Sequence, residues 1–179
     1  MKKLAIVFAL IFLSAHCVWA QERPLNRFEI GLGYDYYPGH TDGGVDIQYH
    51  QGLSPFFEWR HQVGKHWDFG AKVDTRIALA QDGSYKGTVL YGGLHAVADV
   101  NILPGRGVNP FIGIEAGPGI GITNVGYTRA HFLVTASARM GLEIARHFRV
   151  SLALDLPVNG RMFFDTNFTT ASVNLGWAF

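Results

Sequence analysis

Apolar and polar residues alternate with period two in eight stretches of this chain, and turn residues close each stretch. That is the pattern of a β-strand with one polar and one apolar face. In "RFEIGLGYDYY" Phe28, Ile30, Leu32, Tyr34 and Tyr36 fall on one face, with Glu29, Gly31, Gly33 and Asp35 on the other. The alternation recurs in "LSPFFEWRHQ", "DFGAKVDTRIAL", "VLYGGLHAVADVNI", "FIGIEAGPGIGI", "FLVTASARMGLEI" and "RVSLALDLPV". It ends in "ASVNLGWAF", where Val173, Leu175, Trp177 and Phe179 carry the apolar positions to the last residue. No helical periodicity of useful length follows residue 20. The chain is therefore predicted to be all-β, with eight strands of about ten residues, the length a tilted strand needs to cross a bilayer.

The links near Gly64-Lys65, Pro104-Gly105-Arg106-Gly107 and Arg146-His147 are short. Those near Asp82-Gly83-Ser84, Asn124-Val125-Gly126 and Asn159-Gly160-Arg161 are moderate, and the one from Pro38 to Gln51 is the longest and is polar. Alternating short and longer links predict antiparallel up-and-down hairpins, with the short turns and both termini periplasmic and the longer links outside.

The polar face decides between a soluble sandwich and a membrane barrel. It carries charge in mid-strand, at Glu58, Arg60, Lys72, Asp74, Arg76, Asp99, Glu115, Arg139, Glu143 and Asp155. If the apolar face meets lipid, these side chains fill a narrow lumen, where they must pair as a salt-bridged plug to offset desolvation. Aromatics near the strand ends have the placing of interfacial girdles: Tyr34, Tyr36 and Tyr37 at one level, Trp67, Phe148, Trp177 and Phe179 at the other. Gly113, Gly117, Gly119 and Gly121 on the polar face suit a narrow interior. In lipid every backbone group must be paired, and strands achieve that only in a closed barrel.

The opening "MKKLAIVFALIFLSAHCVWAQE" has the basic start, apolar core and small-residue end of a secretory signal. Cleavage is expected between Ala20 and Gln21, dividing the chain into a signal peptide (1–20) and one barrel domain (21–179). The apolar run is about half the roughly 20 residues of a spanning helix. Cys17 follows His16 rather than the small residue of a lipoprotein signal, so the only cysteine leaves with the signal. Without Lys2 and Lys3, thirteen Lys and Arg face fourteen Asp and Glu, a net charge of −1. That balance argues against a nucleic-acid partner, which needs a concentrated basic face.

Two segments carry a family resemblance: the C-terminal "VNLGWAF" and the strand–turn–strand "ADVNILPGRGVNPFIGIEAGPGIG". With them, residues 21–179 resemble the small Gram-negative outer-membrane barrels of the OmpA/OmpX-like group. The resemblance implies an eight-stranded transmembrane barrel in the outer membrane of a Gram-negative bacterium, with lipid as its surroundings. It also implies that Val173, Leu175, Trp177 and Phe179 form the signal read by the outer-membrane assembly machinery. It specifies an architecture and not an activity.

Site chemistry is sparse. His95 shares the polar face with Tyr91 and Asp99, but no serine of its strand joins them, and His131 and Ser137 would lie about 20 Å apart along one strand. The eight histidines have no metal-ligand spacing. "HTDGGVD" lacks the acids of a calcium loop, and "GIEAGPGIG" has no helix after it to make a phosphate loop. No cofactor, metal or catalytic set is therefore expected. The reading is a non-enzymatic envelope barrel with a structural or surface-interaction role, its unknown ligand met by external loops such as that of His40, Asp42 and Asp46. A narrow solute pore, a lipid-modifying outer-membrane enzyme and a secreted lipocalin-like barrel are the alternatives.

Overall fold

The computed structural model describes residues 24–37, 40–42, 45–82, 85–125, 127–158 and 169–179. The expected signal peptide and its Ala20–Gln21 junction lie outside the described residues. Among those described, the chain forms nine strand segments and no helix: β1 (Asn26–Tyr36), β2 (His40–Asp42), β3 (Val45–Val63), β4 (Trp67–Asp82), β5 (Tyr85–Asn101), β6 (Val108–Val125), β7 (Tyr127–Ile144), β8 (Phe148–Pro157) and β9 (Thr170–Ala178).

From β2 to β9 each strand pairs antiparallel with its sequence neighbour, and β1 pairs with both β9 and β3, which closes the sheet. β1 and β2 pair with successive parts of β3 and make one stave of an eight-staved up-and-down barrel. Closure leaves no sheet edge around the barrel's girth, so the backbone is satisfied without solvent. The last residue takes part: Phe28 and Phe179 exchange main-chain bonds of 3.1 and 2.9 Å.

The three tight turns, Leu25 near the start of the described residues and Phe179 lie at one rim. Gly64 (φ 66°) and Gly105 (φ 84°) take the left-handed backbone that two of these turns need. The third turn has Ala145 (φ 51°) and Arg146 (φ 65°) in that conformation, which costs side-chain-bearing residues about 1–2 kcal/mol each.

The strands are less uniform than expected. β1, β8 and β9 span 11, 10 and 9 residues, near the bilayer length, whereas β3 to β7 run from 16 to 19. The extra length lies at the end opposite the turn rim, where three hairpins continue past the last pairs of β8 and β9. The link expected from Pro38 to Gln51 is largely strand: His40 and Asp42 belong to β2 and Asp46 to β3, with a register shift between Tyr49 and Gly52.

Candidate functional site

Alternation places the apolar side chains outside and the charges inside. Ile30, Leu32, Val73, Ile77, Ile114, Leu152, Leu154 and Leu175 are exposed around the circumference. Tyr34 and Tyr36 are exposed on β1 toward the end away from the tight turns, and Trp59, Trp67, Trp177 and Phe179 are exposed toward the turn rim. This inverts a soluble barrel such as a lipocalin, which turns its apolar face inward. Soluble monomers rarely expose a contiguous apolar surface of more than a few hundred Å².

The ten acids and bases singled out from the sequence all point into the lumen and are buried. They stack in three layers, and Arg139 on β7 is the hub of the middle one. Its guanidinium donates to Asp99 (2.9 and 2.8 Å) on β5 and Glu58 (2.7 and 2.8 Å) on β3, and to Glu115 (3.3 Å) on β6. Arg149 bonds the same Asp99 (2.9 Å) while lying over the Phe111 ring at 3.7 Å. Lys72 donates to Glu115 at 2.9 Å, and Arg60 bonds Glu29 and forms an ion pair with Glu58. Four cations thus meet four carboxylates. The cavity between them, about 10 Å³ and lined by Lys72, Arg139, Arg149, Ser151 and Asn174 among others, has room for about one water.

Glycine makes this packing possible. A Cβ at Gly113 would collide with the Asp99 carboxylate, and one at Gly176 with that of Glu29.

The layer at the turn rim holds two residues that the sequence reading left out. Arg27 donates to Glu143 and to Asp68, both at 2.6 Å, and Asn101 donates to Asp68 at 2.9 Å. Residue parity was the available signal, since Arg27 shares a face with Glu29 and Asp68 shares one with Lys72.

The third layer lies toward the opposite end. Arg76 bonds Asp74 and Asp155 (both 3.0 Å) and Thr170 (2.6 Å), and Ser137 bonds Asp155. His95 reaches Asp74 through Nδ1 (3.2 Å) and Thr135 through Nε2 (2.8 Å), with the Tyr91 hydroxyl 3.0 Å from that nitrogen. The partner of His95 is Asp74 of the neighbouring strand, not Asp99, which the arginines hold. Asp74, His95 and Thr135 have the order of an acid–base–nucleophile line, but their exposures of 2%, 1% and 2% leave a substrate no approach. Among the described residues, no group of His, Cys, Asp and Glu has metal-ligand geometry.

An apolar cluster caps this layer: Tyr37, Ala78, Val89, Tyr91 and Leu133, all buried. Tyr37, expected in the outer girdle, is 1% exposed and belongs to this cap. At the other end Trp177 stacks on His147 (5.4 Å), and Phe179 stacks on Phe28 (6.3 Å). Val173, Leu175, Trp177 and Phe179 therefore line the outer face of β9 where it meets β1 and β8.

At the level of sequence the chain matches no family model and no curated protein. Among solved structures it is similar to Neisserial surface protein A, with a TM-score of 0.60 and 10% identity over 88% of this chain and 98% of that one. It is similar to the attachment invasion locus protein Ail of Yersinia pestis, with a TM-score of 0.51 and 13% identity over 86% and 97%. The outer-membrane protein OprG of Pseudomonas aeruginosa gives a TM-score of 0.51 at 9% identity over 88% and 97%. The fold is that of the small eight-stranded outer-membrane barrels.

Proposed function

We propose that this protein is an integral outer-membrane barrel with a plugged lumen, acting in envelope structure or surface interaction rather than in transport or catalysis. The observation that carries the reading is the inversion of the barrel, apolar without and ion-paired within. Such a molecule is stable where its outside meets hydrocarbon and its inside is closed to it. The three charge layers and the apolar cap obstruct the axis at every level, which favours a closed barrel over a pore. The hairpins that outrun β8 and β9 offer a surface that varies without disturbing the ladder beneath. In this reading the turn rim and both termini are periplasmic, and the long hairpins are external.

Fractionation with heat-modifiable gel migration tests insertion, and recovery as a soluble periplasmic protein would overturn it. External labelling of intact cells should reach residue 83 and not Lys65. In planar bilayers the purified protein should give no steady channels, and in a lipid-hydrolysis assay no turnover. Steady conductance would establish the pore, and turnover abolished by His95→Ala would establish the enzyme.

A further inference from the structure

We infer that the turn rim is a binding surface for the phosphate groups of anionic phospholipid, centred on Arg106 and Arg146 with Lys65 on the neighbouring turn. The inference rests on the reading of the chain as a membrane barrel. Every carboxylate side chain whose burial is described lies inside the lumen. The three tight turns carry only bases: Lys65 and His66 in the first, Arg106 in the second, Arg146 and His147 in the third. Apart from the α-carboxylate of Phe179, the described rim holds no exposed anion, and none of the three cations makes an ion pair there.

The second and third turns are joined. Ala145 N–H donates to Gly107 O at 2.7 Å, which sets the residue after Arg106 against the residue before Arg146. The two arginines are thus placed on adjoining turns that carry no described carboxylate, an arrangement suited to an anion. Arg146 has a further mark. Its Nη1 is enclosed without a hydrogen-bond partner, although a guanidinium nitrogen has donors to satisfy.

The level of the rim names the anion. Trp67 and Trp177 are exposed beside these turns, and tryptophan marks the boundary between hydrocarbon and headgroups. Cations just beyond such a girdle sit at the depth of lipid phosphates, where an anionic surface attracts them. His66 and His147 are anchored by Nδ1 to the main-chain carbonyls of Asn101 (2.7 Å) and Ala178 (2.9 Å), which fixes both rings at the same rim.

The test is lipid selectivity, read by spin-labelled lipids around the full-length mature protein in phosphatidylcholine vesicles doped with phosphatidylglycerol. The phosphatidylglycerol label should be enriched about two- to fivefold over the phosphatidylcholine label, and raised salt should reduce the preference. The variant Lys65→Gln/Arg106→Gln/Arg146→Gln should bring the ratio to about one, while Lys86→Gln, on a hairpin at the far end, should leave it unchanged. Each Gln variant enters the comparison through its inserted, heat-modifiable fraction, and the single Arg106→Gln should lose part of the preference if the triple variant inserts poorly. Equal distribution of the labels around the wild-type protein, or a preference that survives the triple variant, overturns this inference alone. Failure of the wild-type to insert into either vesicle overturns the barrel reading with it. Free inorganic phosphate that abolishes the preference at low concentration would identify a soluble phosphate, not a lipid, as the occupant.

Discussion

Arg139 holds three carboxylates at once, so its removal probes the lumen most directly. Arg139→Met keeps most of the side-chain length and removes the charge, leaving three cations against four carboxylates in the middle layer. The guanidinium's five bonds to Asp99, Glu58 and Glu115 would sum to roughly 10 kcal/mol if each were independent. They are not independent. Arg149 still reaches Asp99 at 2.9 Å and Glu58 at 3.6 Å, and Lys72 still holds Glu115 at 2.9 Å. Breaking a buried pair from one side costs about 3–5 kcal/mol, and these residual contacts place Arg139→Met near the lower end, at about 3 kcal/mol. Adding Glu58→Gln restores the balance at three against three. The double variant should therefore be more stable than the sum of the single losses predicts, by about 1–3 kcal/mol. Urea unfolding of the barrel in phosphatidylcholine vesicles, followed by the heat-modifiable band, measures both quantities. A loss below about 1 kcal/mol for Arg139→Met, or strict additivity in the double variant, would refute a close-packed, mutually dependent charge layer.

Two further substitutions test the ends of the barrel. Phe179→Asp should slow assembly in cells yet lower the stability of the folded barrel by no more than about 1 kcal/mol, because the side chain lies at an interface rather than at mid-bilayer. Pulse-labelled assembly in cells and urea unfolding in vesicles separate the two effects, and normal assembly would reduce Phe179 to a packing residue. Replacing Ala145-Arg146 by Asn-Gly should raise stability by about 1–2 kcal/mol, since both positions have positive φ and Asn-Gly suits such a two-residue turn. A loss in the same urea experiment would mean that the Arg146 side chain stabilises the turn by more than its strain costs.

Strand parity was the legible part of the sequence. It assigns Glu58, Lys72 and Arg139 to one face and Phe57, Val73 and Met140 to the other, and the structure keeps every one of those sides. Applied without exception it would also have drawn Tyr37 inward, because residues 35 and 37 share a face; grouping three tyrosines by level hid that. The length of β3 to β7 was hidden for a different reason. Beyond the hydrocarbon a strand needs no apolar face, so "VDIQYHQ", which still alternates from Val45 to His50, reads as part of a long polar link although the ladder continues through it. Contacts between non-adjacent strands, such as that of His95 on β5 with Thr135 on β7, depend on barrel curvature and on which glycines leave room, and neither is written in a local pattern.

A barrel this narrow could be filled with apolar side chains, so the charges need a reason. Apolar residues on both faces would make each strand a continuous hydrophobic run, and nothing would distinguish one pairing register from the next. With charge on one face, a slip of a single residue turns Arg27, Arg60, Lys72, Arg76, Arg139 or Arg149 toward lipid. Near mid-bilayer each such cation costs about 2–4 kcal/mol. The penalty for misregister of any one strand is thus comparable to a sizeable part of a small domain's whole stability. Inside, the same groups recover their desolvation cost only when partners on three or four strands arrive together, as Asp99, Glu58 and Glu115 do around Arg139. The network therefore rewards the complete barrel and not its separate hairpins, which couples closure by β9 to the order of the lumen.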